Sequence, residues 1–210
     1  MALLAGYATE ATYMPISEPL EARIREAELV ISGRVRIMEE AKYPEKGRTR
    51  LCGITYAIDV LKTYKGRSQQ NLEFSVYRMS VRVPFHTVNV GDDLLLLLHT
   101  ERGRSDPALD EVPDVVLAAP SGEKSKCLDR LAPLRVDSRD GAYPLIHELD
   151  QKGEATTWLA YSSALTTMPD IAGQRPYAKD CRGERCGQDG RRLVRWDILE
   201  AKIIDWLKKP

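Results

Sequence analysis

Side chains able to act as acids, bases, nucleophiles or metal ligands are few and scattered. Three histidines, His86, His99 and His147, and four cysteines, Cys52, Cys127, Cys181 and Cys186, stand in a chain of 210 residues. General acid–base chemistry needs a titratable imidazole held against a carboxylate, and His147-Glu148 beside Asp150 supplies both types. Sequence neighbours seldom meet at a working geometry, so a solvated polar turn is the plainer reading. His99 directly follows a leucine run, which would set its ring at a barrel mouth where small β-barrels bind ligands, with a packing or surface role as the plainer reading. The nucleophile-elbow pattern G-x-S-x-G, the zinc pattern H-E-x-x-H, the P-loop and the dinucleotide fingerprint are missing from the sequence. On this reading there is no catalytic residue, no cofactor and no metal.

The cysteines form an even set, which can pair in three ways. Cys181 and Cys186 enclose Arg-Gly-Glu-Arg, where Gly183 accommodates the positive φ of a tight ring, and we pair them. Cys52 and Cys127 then form the second bridge, tying the start of one strand to the chain that leaves another. Zinc sites are built from close pairs such as C-x₂₋₄-C, and a second close pair is lacking. Disulfides in an oxidising compartment fit better than a metal site, with inert buried thiols as the alternative.

Thirty-one basic residues balance thirty-one acidic ones, so no global field draws the chain to nucleic acid or to an anionic membrane. The richest local patch runs from Arg175 to Arg195. There Arg175, Lys179, Arg182, Arg185, Arg191, Arg192 and Arg195 outnumber Asp180, Glu184 and Asp189. Tyr177 is the one aromatic residue within the stretch, too few to stack successive bases, so a solvated surface is the plainer reading of the patch. Large aromatics concentrate in the second half, as Tyr143, Trp158, Tyr161, Tyr177, Trp196 and Trp206. Trp158 and Tyr177 as aromatic anchors, with Arg182 and Arg185 from the basic stretch, are the candidate partner-binding residues. The longest apolar run, Leu94 to Leu98, is far short of the roughly 20 residues of a membrane-spanning helix.

Hydrophobic periodicity sets the expected elements. Ser17 before Glu18-Pro19-Leu20 is a helix start, and Leu20, Ile24 and Ala27 fall on one helical face. Leu29, Ile31, Gly33, Val35 and Ile37 share one phase of a strand over 28–38, with Gly33 marking a bulge or bend. Residues 42–50 read as a loop or hairpin tip. A second strand spans 53–64, with Ile54, Tyr56, Ile58 and Val60 in phase, and a third carries Leu72, Phe74 and Val76. Val81 and Val83 precede Pro84. Gly91-Asp92-Asp93 turns the chain into the leucine run, which has no polar phase and so predicts a strand covered on both faces. Residues 112–119 are the last strand with a clear signal. Beyond Pro120 only short pieces such as 156–161 emerge, until Asp197-x-x-Glu200 and the spacing of Leu199, Ile203, Trp206 and Leu207 predict a capped helix docking through Trp206. No helical pattern separates the strands between Glu28 and Leu98, which argues against a parallel α/β sheet.

Three pieces of this pattern carry a family resemblance. They are Glu26-Ala27-Glu28-Leu29-Val30-Ile31-Ser32-Gly33-Arg34-Val35, Tyr56-Ala57-Ile58-Asp59-Val60-Leu61-Lys62-Thr63-Tyr64-Lys65-Gly66, and Val90-Gly91-Asp92-Asp93-Leu94-Leu95-Leu96-Leu97. Through them the segment from Ala22 to His99 resembles the netrin-like, tissue-inhibitor-of-metalloproteinase-like group of OB-fold domains of bacterial secreted proteins. The resemblance implies a five-stranded barrel and a periplasmic or secreted address. Inhibitors of that group chelate a protease zinc through an N-terminal Cys, and no Cys precedes Cys52 here, so that mechanism does not carry over. Leu4-Ala5-Gly6 resembles the end of a bacterial lipoprotein signal, although Tyr7 stands where the lipid-acceptor Cys belongs. A trimmed export signal with a lipid anchor in the precursor and a frayed terminus are its two readings.

The expected fold is mainly β with flanking helices. An N-terminal segment (1–16) precedes a five-stranded OB-like barrel (17–120) and an irregular extension closed by a helix (121–210). The expected function is a non-enzymatic extracytoplasmic interaction module, inhibitor- or immunity-like, with a protein partner, no nucleic acid and no transmembrane segment. The alternatives are a hydrolase whose site assembles only in space and a barrel that binds polysaccharide or anions.

Overall fold

The computed structural model describes residues 18–45, 48–77, 88–100, 132, 134–136, 141–149, 152–163, 166–171, 173–177 and 191–209. In chain order the elements are β1 (Glu18–Pro19), α1 (Leu20–Glu26), β2 (Leu29–Glu45), β3 (Arg48–Lys65), β4 (Asn71–Tyr77), β5 (Asp93–Thr100), β6 (Leu134–Val136), β7 (Ala142–Leu149), β8 (Ala155–Ser162), β9 (Thr166–Thr167), β10 (Arg175–Pro176), β11 (Arg191–Arg195) and α2 (Trp196–Lys208). The fold is mainly β, with a C-terminal helix and little other helix.

Nine strands join in one sheet in the order β10-β11-β8-β7-β5-β2-β3-β4-β6, and β5 makes a further pairing with β6. One edge of β5 is taken by β2, from Leu98 opposite Leu29 to Asp93 opposite Arg34. Two partners divide its other edge. Residues Asp93–Leu96 pair with β7, and Leu98–Thr100 pair with β6, which also lies parallel to β4. Between these two ladders the amide of Leu97 donates to the carbonyl of Gly141 at 2.7 Å.

Alternation along β5 sends its leucines into two cores. Leu94, Leu96 and Leu98 pack with Ile31, Tyr56, Ile58 and Phe74 from the first three long strands. Leu95 and Leu97 pack with Tyr143, Leu159 and Val194 of the later strands, beneath Leu20 and Ile24 of α1 and Leu199, Ile203 and Trp206 of α2. All five leucines are buried, so the strand is covered on both faces, as the unbroken apolar run predicts. Fully burying one such side chain stabilises by about 1.5–3 kcal/mol.

Several expectations are corrected. The α1 N-cap is Pro19, which makes no side-chain cap bond, and Ser17 lies outside the described residues. Asp197 sits in the first turn of α2 and not at its N-cap, which is Arg195, and its carboxylate bonds that arginine. Ile37 was expected in phase with Val35, yet it is 42% exposed while Val35 is buried. The cause is a register shift between Val35 and Ile37, which sets Met38 instead of Ile37 on the Tyr56 side. Another shift falls at Ser32/Gly33, where a bulge or bend was anticipated; a Cβ on Gly33 would lie 2.9 Å from the Asp59 carbonyl oxygen. The first hairpin is longer than its alternation suggests, with β2 running to Glu45 and β3 starting at Arg48. The region after residue 120 was expected to be irregular before its helix, yet it contributes β6, β7, β8, β10 and β11 to the same sheet. The expected strand over 112–119, with Val81, Val83 and Pro84, lies outside the described residues.

Because β5 has no solvent face, truncation on either side should be costly. Leu96→Ala and Leu97→Ala are each expected to lower the unfolding free energy in urea by about 2–5 kcal/mol. Near-neutrality of either variant would show that one face of β5 is not packed.

Candidate functional site

The face of the sheet that carries Leu95 and Leu97 ends in a polar row. Arg34 lies opposite Asp93 in the β2–β5 register, Asp93 lies opposite Leu145 on β7, and His147, two residues further along β7, lies opposite Thr157 on β8. Period-2 alternation puts all four side chains on that face. Arg34 Nε donates to Asp93 Oδ1 at 2.7 Å and Arg34 Nη2 to Oδ2 at 2.9 Å, a bidentate fork. His147 Nε2 lies 2.8 Å from Asp93 Oδ2, and His147 Nδ1 lies 2.9 Å from Thr157 Oγ1.

Exposure divides the row unequally. The Asp93 side chain is 5% exposed, while those of Arg34 and His147 are 56% and 57% exposed. A buried carboxylate needs paired, hydrogen-bonded partners to stay ionised, and Asp93 has three donated bonds. The Arg34 bonds hold its carboxyl below the usual carboxylate range; burial opposes them, and the His147 bond adds to them.

Those bonds also fix the imidazole. An ionised carboxylate only accepts, so Nε2 carries a proton. In the neutral ring Nδ1 is then the acceptor, and the Thr157 hydroxyl donates to it. A carboxylate, an imidazole and a hydroxyl thus lie in line, the arrangement in which a histidine can take a hydroxyl proton.

Neither sequence neighbour of His147 is its partner. Glu148 points to the opposite face and pairs with Arg175, while Asp150 lies outside the described residues. Asp93 and Thr157 were not among the expected site residues. The usable signal was a carboxylate in phase with buried leucines, which must find a cation somewhere in the fold.

The candidate binding residues fall elsewhere. Trp158 is half-buried on the opposite face from Thr157, with the Arg175 guanidinium stacked 4.4 Å from its ring centroid, so one face of the indole is occupied. Tyr177 is half-buried just past β10, and Arg182 and Arg185 lie outside the described residues. Of the other aromatics, Trp206 is in the core as expected, and Trp196 meets Tyr64 edge-on at 6.2 Å. Tyr64 donates to Glu200 Oε1 at 2.5 Å, and burial together with that bond holds its phenol far above the usual range.

Backbone atoms of Cys52 lie in β3, but its side chain and Cys127, Cys181 and Cys186 are outside what is described, as is His86. His99 is half-buried near the end of β5. Among the described residues no group of three or more His, Cys, Asp or Glu is placed to hold a metal ion, and no helix is long and apolar enough to cross a membrane. A scan of protein-family models and searches of curated proteins and of solved structures each returned no match.

The lowered Asp93 value sets the sign of a pH dependence. A folded value below the unfolded one makes the row stabilising above the unfolded carboxylate value of roughly 4. That contribution is lost as pH falls through the folded value. Asp93→Asn is expected to cost about 1–3 kcal/mol in urea at neutral pH. It should also flatten the acid limb of stability against pH, whereas an unchanged acid limb would mean that Asp93 titrates alike in both states.

Proposed function

We propose that this chain is an extracytoplasmic interaction module, inhibitor- or immunity-like, that binds a protein partner and in which β2 to β6 make an OB-like five-stranded barrel, its fifth strand coming from residues 134–136 and not from within 17–120. Support for the barrel is the cyclic pairing β2-β3-β4-β6-β5-β2, with one apolar cluster drawn from each of those strands. The extracytoplasmic address rests on the even set of cysteines and on the family resemblance.

The observation that carries the binding reading is the outer edge of β2. Val35 is bonded by Gly91 and Asp92, but among the described residues no strand pairs with the side of β2 away from β3 beyond that point. Ile37 and Met38, on opposite faces of that stretch, are 42% and 43% exposed. Apolar side chains along a strand edge that no other described strand covers are what strand-adding partners use.

A photoreactive amino acid at Ile37 or Met38, with the full chain in bacterial envelope extract, tests this. Both positions should yield the same discrete protein adduct, absent when the probe replaces exposed Ala201 on α2. No adduct, or identical adducts from all three sites, would overturn the reading.

A second reading, a hydrolase with a spatially assembled site, is favoured by one observation. His147 lies within hydrogen-bond reach of Asp93 on one ring nitrogen and of Thr157 on the other.

A further inference from the structure

We infer that Thr157 is the nucleophile of an acyl-transfer site, with His147 as its base and Asp93 as the residue that positions His147, acting on carboxylic esters with good leaving groups. The inference rests on the hydrolase reading and adds to it the identity of the attacking group.

Its first support is backbone geometry. His147 and Thr157 are directly opposed on adjacent antiparallel strands, so their 2.9 Å contact is set by the ladder and not by two free side chains meeting on a surface. Opposed residues in such a ladder have Cβ atoms about 4.5–5.5 Å apart, a spacing that an imidazole and a β-hydroxyl can bridge.

The second support is the direction of the hydroxyl proton. Arg34 donates to Asp93, and an ionised Asp93 takes its bond from His147 Nε2–H; whenever the ring is neutral its lone pair is therefore on Nδ1, 2.9 Å from the Thr157 hydroxyl, which is then the donor. In the proposed step the Thr157 oxygen bonds to the ester carbonyl carbon as its proton passes to Nδ1. The resulting imidazolium is held through Nε2 by Asp93. Collapse of the tetrahedral adduct breaks the bond to the leaving oxygen, which takes the proton from Nδ1 and leaves an ester on Thr157. Water then attacks that ester by the same route, returning a proton to Thr157 and releasing the acid.

Arg34 sets the substrate class. It shares the Asp93 charge, so Asp93 stabilises the imidazolium less than an unshared carboxylate would. A weakly stabilised imidazolium suits leaving groups that need little help from a proton, such as phenolates, and not amines. Exposure fits the same scheme: the orienting carboxylate is buried, and the base faces solvent where a substrate can approach.

The test is p-nitrophenyl acetate with the full chain, read by nitrophenolate release and, after acid quench, by peptide mass mapping. The wild type is expected to carry a hydroxylamine-labile acetyl group on Thr157. Thr157→Val and His147→Gln should each lower release by about 100-fold or more, and Thr157→Ser should restore it. In Asp93→Asn, Arg34 holds the amide oxygen and the NH2 group meets His147, which moves the ring proton to Nδ1. That variant should lower kcat and leave KM in place, whereas a loosened fold would move both. Release that depends on His147 but leaves no acetyl on Thr157 would overturn the inference and keep the hydrolase reading, with water as the nucleophile. Release equal to free imidazole background in every variant would overturn both.

Discussion

A strand with no polar phase can be satisfied only between two apolar layers, and β5 imposes that condition on the rest of this molecule. Its leucines alternate between two cores, and neither core is complete without its share of them. The backbone is constrained in the same way. β2 takes one edge, and the other is handed from β7 to β6 within a few residues. The sheet therefore branches at β5, one arm continuing through β7, β8 and β11 under the two helices and the other turning through β6 to β4. The later strands and α2 are thus built onto the first half of the chain through a shared wall.

The charged row follows from that arrangement. Asp93 begins β5 in phase with Leu95 and Leu97, so the pleat that buries those leucines also draws its carboxylate towards the interior. Arg34 on one neighbouring strand and His147 on the other compensate it. The row bonds β2, β5, β7 and β8 side chain to side chain at the point where the helix-covered core gives way to solvent. The same constraint that fixes the row sets His147 Nε2 against Asp93 and Nδ1 against Thr157.

How much of this was legible in the sequence depended on whether the information was local. The β5 run, the alternation of β3 around Tyr56 and Ile58, and the α2 stripe of Leu199, Ile203 and Trp206 each announce themselves within a dozen residues. Ile37 departs from the expected phase because one bulge, at Arg36, exchanges the faces taken by Ile37 and Met38, and no residue type there signals it. β7 was missed because Pro144 and a mixed polar pattern hide a strand whose partners are β5 and β8. The site was illegible for a related reason: His147 and Asp93 are 54 positions apart, and only the register of strands distant in sequence brings them together. Sequence neighbours Glu148 and Asp150 were visible, but alternation had already sent Glu148 to the opposite face.

If β5 is the wall that both cores share, its two sides cannot open separately. Native-state hydrogen exchange, followed amide by amide in increasing denaturant, measures this directly. The amides of Leu94–Leu98, of Val30 and Ile31 on β2 and of Tyr143 and Leu145 on β7 should converge on one opening free energy, equal to that of global unfolding. Exchange of the β7, β8 and β11 amides through a lower-energy opening that leaves β2 and β5 protected would contradict the account.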